Sequence, residues 1–258
     1  MRGRAARTAA GTALVAAAAC AACSTSAADG AAPTSPRPGL EAGTTSAPPT
    51  PSTASTTIAT VTTTTTSTPT LAWTTRPIDD ALRTRMQSSW REGCPVQLDD
   101  LRYVTLNHWG FDGQVHTGEL VIHADAVTPL EQAFTALFAL RFPIRQMRLV
   151  DDFGGDDDAS MAADNTSAFN CRPVAGSSRW SQHAYGRAVD VNPVENPYVH
   201  RGRVDPPNGS PFTDRDVIRP GMLTAGSPEV AAFTRVGWGW GGAWGSTKDH
   251  QHVSATGR

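Results

Sequence analysis

Apolar residues first recur at helical spacing in Asp79–Arg91, where Ile78, Leu82, Met86 and Trp90 mark one face. That spacing predicts an amphipathic helix ending near Gly93. Residues 101–109 and 114–123 alternate apolar and polar side chains instead, the pattern of two half-buried strands. Phe111-Asp112-Gly113 between them suits a hairpin turn, because Asp-Gly accepts the positive φ that such turns demand. Val127, Leu130, Phe134, Leu137 and Phe138 return to helical spacing and predict a second helix over residues 126–141. A short strand follows at 147–150, then an acidic loop carrying Asp151, Asp152, Asp156, Asp157 and Asp158. No calcium-loop spacing matches those aspartates, so they read as a solvated loop.

The pattern then tightens around residues 179–193. Val189 and Val191 alternate with Ala188, Asp190 and Asn192, which predicts a short strand with its valines in the core and Asp190 on the other face. Residues 194–226 are rich in Pro and Gly and poor in apolar side chains, as a loop covering a cleft would be. Ser227-Pro228-Glu229 carries a capping serine and a first-turn proline, a helix start. That helix ends at Gly237 and leads into a run with Trp238, Trp240 and Trp244. Strands and helices mix without βαβ alternation, so the expected class is α+β: a single compact domain with a mainly antiparallel sheet and flanking helices.

Composition changes this picture at the N-terminal end. Residues 24–76 are dominated by Ala, Thr, Ser and Pro, with five consecutive threonines at 62–66. Too little apolar surface is present there to offset the entropy of ordering, so the segment reads as a disordered linker. Ahead of it, Arg2, Arg4 and Arg7 precede a small-residue apolar run from Ala9 to Ala22, too short and too weakly apolar to span a membrane. Residues 1–23 therefore read as an export signal, and residues 77–258 as one domain of about 180 residues. The net charge of −2 leaves no electrostatic footprint for nucleic acid. Two of the four cysteines lie in the signal, and in an exported domain the remaining pair, Cys94 and Cys171, is expected to form a disulfide.

The candidate chemistry sits in two places. His183 and Asp190 stand seven residues apart in the central segment, and Asp249 and His252 lie near the C-terminal end of the sequence. Two imidazoles and one carboxylate are the three-ligand set that leaves a zinc ion an open position for water. A neighbouring carboxylate, Asp249, then has the type needed for proton transfer, and an arginine for steadying a developing oxyanion. His108, His116, His123 and His200 are not needed by such a site, and His250 is left without a role.

Ser181-x-His183-x-x-Gly186-x-Ala188-x-Asp190 followed by Asp249-x-x-His252 resembles the zinc D-alanyl-D-alanine carboxypeptidase family, which includes VanY-like carboxypeptidases and L-alanyl-D-glutamate endopeptidases. The resemblance implies a hedgehog-type DD-peptidase fold over residues 77–258, Zn2+ held by His183, Asp190 and His252, and Asp249 as general base. It also implies that Arg172, in Ser-Ala-Phe-Asn-Cys-Arg, binds substrate and polarises the scissile carbonyl, and that Ser181 lies near the substrate. Trp240 is expected to line the cleft. The implied partners are peptidoglycan stem peptides, cut at either the terminal D-Ala or the L-Ala to D-acidic bond, by a protein expected to be monomeric. A non-catalytic peptide- or wall-binding module of the same fold is the alternative. Cys20-Ala-Ala-Cys23-Ser is similar to a bacterial lipoprotein signal, which implies a lipid anchor at Cys23, or at Cys20, on the outer face of the cell membrane.

Overall fold

A computed structural model describes residues 69–258. The expected export signal at 1–23, with Cys20 and Cys23, and residues 24–68 of the expected linker lie outside the described residues. The first strand, β1 (Trp73–Pro77), pairs antiparallel with β2 (Leu101–Trp109), Trp73 opposite Leu106. Residues 73–76 thus join the folded domain although their composition placed them in the linker. The reason is anchoring: Leu71 and Trp73 pack on the core, with the Trp73 ring 6.2 Å from that of Phe134. Two large apolar side chains suffice to dock a strand whose neighbours are threonines.

The first helix, α1 (Asp80–Arg85), is shorter than its periodicity implied. Asp79 caps it by accepting from the Leu82 amide, and Leu82 and Met86 are buried beneath it. Beyond Met86 the chain turns, and the Trp90 indole donates to the Val96 carbonyl. The expected hairpin of β2 and β3 (Val115–His123) forms, with Leu101 opposite His123. Its inward residues Val104, Leu106, Leu120 and Ile122 meet helix α2 (Val127–Ala139), whose Leu130, Ala133, Phe134 and Leu137 are buried against them. Phe134 anchors this layer, and Phe134→Ala would cost about 3–5 kcal/mol by leaving a cavity.

The remaining elements are short. β4 (Gln146–Met147) pairs in parallel with β5 (Asn165–Thr166), with α3 (Asp157–Ala162) between them. A second antiparallel sheet runs β6 (Ala188–Asp190), β11 (His252–Ser254), β9 (Gly239–Trp240). It meets the end of β5 through reciprocal backbone bonds between Ser167 and Asp190, and the segment after β5 meets β3 through Phe169 N donating to Val121 O. Helix α4 (Pro228–Thr234), capped by Ser227, brings Phe233 edge-on to Phe134. The described residues are mixed α and β with mainly antiparallel pairing, as the class expected.

The span 194–226 departs from a plain loop. It holds the hairpin of β7 (Tyr198–His200) and β8 (Arg203–Asp205), and β7 pairs with β10 (Lys248–Asp249). Buried amides replace the missing apolar residues. Asn192 donates to the Pro143 and Gly221 carbonyls, while Asn196 accepts from Leu223 N and Arg215 Nη2. Polar groups satisfied in this way hold a segment that has little hydrophobic surface to bury.

Candidate metal centre

His183 is set by a turn rather than by a regular element. Ser181 accepts from the His183 amide, the 3-10 turn Gln182–Tyr185 follows, and Gly186 ends it at φ 65°. A Cβ at Gly186 would meet the His123 amide nitrogen at 2.6 Å, so glycine is required there twice over. Asp190 and His252 face each other directly across the β6–β11 pair. Val189, Val191 and Val253 are fully buried and lock this ladder in register. A slip of one residue in either strand would carry Asp190 or His252 to the wrong face.

All three functional side chains are buried and converge. His183 Nε2 lies 3.1 Å from Asp190 Oδ2 and 3.2 Å from His252 Nδ1, and His252 Nδ1 lies 3.1 Å from Asp190 Oδ1. The outer nitrogens face acceptors only: His183 Nδ1 is 2.6 Å from the Ala168 carbonyl, and His252 Nε2 is 3.3 Å from that of Arg258. Each outer nitrogen therefore carries the proton and donates. That leaves the lone pairs of His183 Nε2 and His252 Nδ1 aimed at one point beside a carboxylate. Opposed lone pairs in a buried site need a shared cation, so the residues fit a metal ion, with backbone carbonyls orienting both imidazoles.

The electrostatics agree with that reading. Burial alone would raise the Asp190 carboxyl, but the two imidazoles outweigh it and hold the group well below the usual carboxylate range. Burial would lower His252, yet its hydrogen bond and charge attraction to Asp190 raise it. Asp249, placed by the β7–β10 pairing, carries a buried Oδ1 with no hydrogen-bond partner. Burial first, then the repulsion of Asp190, pushes its carboxyl up to about 6.

Arg172 follows Cys171, whose disulfide to Cys94 closes a 77-residue separation. Cys171 N donates to Ser89 O and Arg91 donates to Cys171 O, so the backbone carrying the arginine is pinned on both sides. The guanidinium pairs with Asp157 at 2.6 Å, and its Nε is buried without a partner. This partner is a correction to the acidic loop read as solvated. Asp151 accepts from Ser88 N and Ser89 N, Asp152 pairs with Arg85, Asp156 caps α3, and Asp157 meets Arg172. A capping aspartate ahead of Asp-Asp-Ala-Ser-Met was a readable helix signal; the partnership with a distant arginine had none.

Ser181 is buried with its hydroxyl spent on the turn. Trp240 does not line the cleft: it sits in the core and its indole donates to the His250 carbonyl. Trp244, only partly buried, is the tryptophan beside the site, its ring 5.7 Å from His252. Period-two alternation could not choose between them, because the chain turns through Gly241–Ala243 in the middle of the run. His123 and Asp125 pair with Arg187 instead of gathering ligands.

A family model described as D-alanyl-D-alanine carboxypeptidase matches residues 175–255. The match supports the peptidase family. It spans His183, Asp190, Asp249 and His252, and it leaves out Arg172 and Asp157. No curated protein and no solved structure gives a match to the chain.

Proposed function

We propose that the protein is a zinc-dependent peptidase that hydrolyses peptidoglycan stem peptides. The observation that carries this reading is Asp249, whose buried Oδ1 has no hydrogen-bond partner and whose carboxyl feels the charges of the three converging ligand groups. Ligands about 2.0–2.1 Å from a tetrahedral zinc lie about 3.3 Å apart. The two imidazole nitrogens are 3.2 Å apart, each is 3.1 Å from a different Asp190 oxygen, and one ligand atom from each residue lies within 4.8 Å of the others. His183 Nε2, Asp190 and His252 Nδ1 would hold the ion. Zinc bound there supplies a Lewis acid that makes water nucleophilic at neutral pH.

Everything else falls to this chain's own side chains. Asp249, raised by burial, has the proton affinity to accept a proton from the attacking water and return it to the leaving amine. Arg172 Nε, buried and without an acceptor, supports the role of donor to the scissile carbonyl. The disulfide and the Arg91 contact keep that donor from drifting as charge develops. A pure binding module of the same fold would need no carboxylate held in this state.

The test is mass spectrometry of purified muropeptides incubated with zinc-loaded protein and with Asp249→Ala. Peptide cleavage by the first and a loss of about 10²–10⁴-fold in the second, with zinc retained, is the expected result. A folded, zinc-replete protein that cleaves no stem peptide would favour the binding module. We further propose export and lipid anchoring through Cys23, with Cys20 as the alternative. Radiolabelled palmitate incorporation that persists in Cys23→Ala and Cys20→Ala would remove the anchor.

A further inference from the structure

Asp157 occupies the first turn of α3, where Asp156 takes the capping role and leaves the Asp157 carboxylate free to reach across to Arg172. The contact uses Nη2 of the guanidinium at 2.6 Å, and both side chains are only about a quarter exposed. Burial raises the Asp157 carboxyl and the Arg172 guanidinium opposes that rise; at 2.6 Å from an always-charged group the pair is taken as ionic. Of the donors that remain on Arg172, Nε is buried and unsatisfied, a condition costly enough that it marks where an acceptor belongs. A neutral carbonyl oxygen satisfies one such donor. A free carboxylate placed there would lie against Asp157, with Asp190 and Asp249 also facing the site.

Arg179 and Arg258 are exposed, and three other cations on adjoining segments are engaged. Arg91 is on the Cys171 carbonyl, Arg203 pairs with Asp205, and Lys248 donates to the carbonyls of Gly242 and Trp244. With a dication bound, its charge and that of Arg172 are matched by Asp157, Asp190 and Asp249. A peptidase that trims a terminal residue has to recognise the negative α-carboxylate of that residue, which calls for cationic charge not already matched.

We propose that Asp157 is a specificity-determining residue: by pairing with Arg172 it reserves that arginine for a neutral peptide carbonyl and disfavours a free α-carboxylate, so the site takes internal amide bonds of wall peptides. The proposal rests on the peptidase reading above and deepens it. Asp157 itself touches Arg172 and not the reacting bond.

The experiment measures binding without turnover. The full chain, stripped of metal, is titrated with acetyl-D-Ala-D-Ala and with its C-terminal amide, each followed by NMR. Asp157→Asn is expected to shift the ratio of the two affinities by about tenfold toward the carboxylate, the scale of one charge-assisted hydrogen bond. The shift should vanish when Arg172→Gln is also present, and Asp158→Asn, an equal change of charge at an exposed neighbour, should not produce it. No shift, or an equal shift with Asp158→Asn, overturns the proposal. If Asp157→Asn does not fold, Asp157→Ser removes the same charge at the same position and carries the same expectation. With zinc restored, a wild-type preference for releasing terminal D-Ala over cutting an internal bond also overturns it. Absence of all turnover sinks only the peptidase reading, and the affinity ratio still decides the role of Asp157.

Discussion

Asp190 and Glu195 lie five residues apart in one short segment, both almost fully buried, and their proton affinities move in opposite directions. Asp190 has both oxygens on imidazoles and is held strongly ionised. Glu195 has one oxygen 3.5 Å from Arg145, the other with no partner, and the Asp164 carboxyl as a neighbour. Burial first, and then that neighbour, pushes Glu195 up to about 8. Burial sets the stakes in both cases, but the partners choose the sign. A carboxylate facing two lone-pair donors is arranged to hold a cation. One facing another carboxylate is arranged to hold a proton.

The largest expected effect breaks the first half of this contrast. Asp190→Asn should lower metal affinity by more than about 100-fold, beyond the loss typical of an outer partner, read as metal content by plasma mass spectrometry. Metal retained at full occupancy would show that the triad is an ordinary buried cluster. Next comes Asp249, whose carboxyl stands at about 6 in the metal-free site. A nearby dication lowers it further, so the acid limb of kcat/KM should have its midpoint at or below about pH 6. A base loses activity as pH falls through its pKa, and Asp249→Asn should abolish that limb along with most turnover. A limb unchanged in the variant would assign it elsewhere.

Glu195→Gln tests the other half and should act in the opposite sense. Between its ordinary value of 4.5 and about 8 the folded protein holds a proton that the unfolded chain releases. Stability from this group is therefore present below pH 4.5 and is lost as pH rises toward 8. The amide keeps the hydrogen-bonding shape without the charge. It should add on the order of 2 kcal/mol at pH 8 and nothing at pH 4, measured by urea unfolding. A variant that is less stable at pH 8 would mean that Glu195 is ionised and held by Arg145. Smallest is Asp164→Asn, at a residue with φ 56°, a conformation asparagine accepts. Removing that neighbouring charge should bring the Glu195 titration down by about one unit, followed by carboxyl NMR.

Much of the chemistry was legible before the fold. Asp190 and His252 were readable as inward-facing because neighbouring valines mark their strands, while His183 sits on the turn before β6. The β2–β3 hairpin and helix α2 likewise follow from local periodicity. Asp249 was nameable from its spacing to His252. Its support was not, since β7 lies in a segment with almost no apolar pattern, where buried asparagines take the place of a hydrophobic face. The strand β1 was missed for the same reason in reverse: Trp73 is a single anchor within a threonine-rich run.

What the sequence determined by itself is therefore the ligand types, their order, the alternation that faces them inward, and the two cysteines available to join. Tertiary structure decided the rest. It turned both outer imidazole nitrogens onto carbonyls, left Asp249 and Arg172 Nε without partners, brought Asp157 from an acidic run onto Arg172, and exchanged Trp240 for Trp244 at the site. The physical reason is range. Periodicity reports which face a residue turns to its neighbours within a few positions. Arg172 meets Asp157 and His183 meets the Ala168 carbonyl across 15 residues, and His183 meets His252 across 69, so only packing brings these partners into contact.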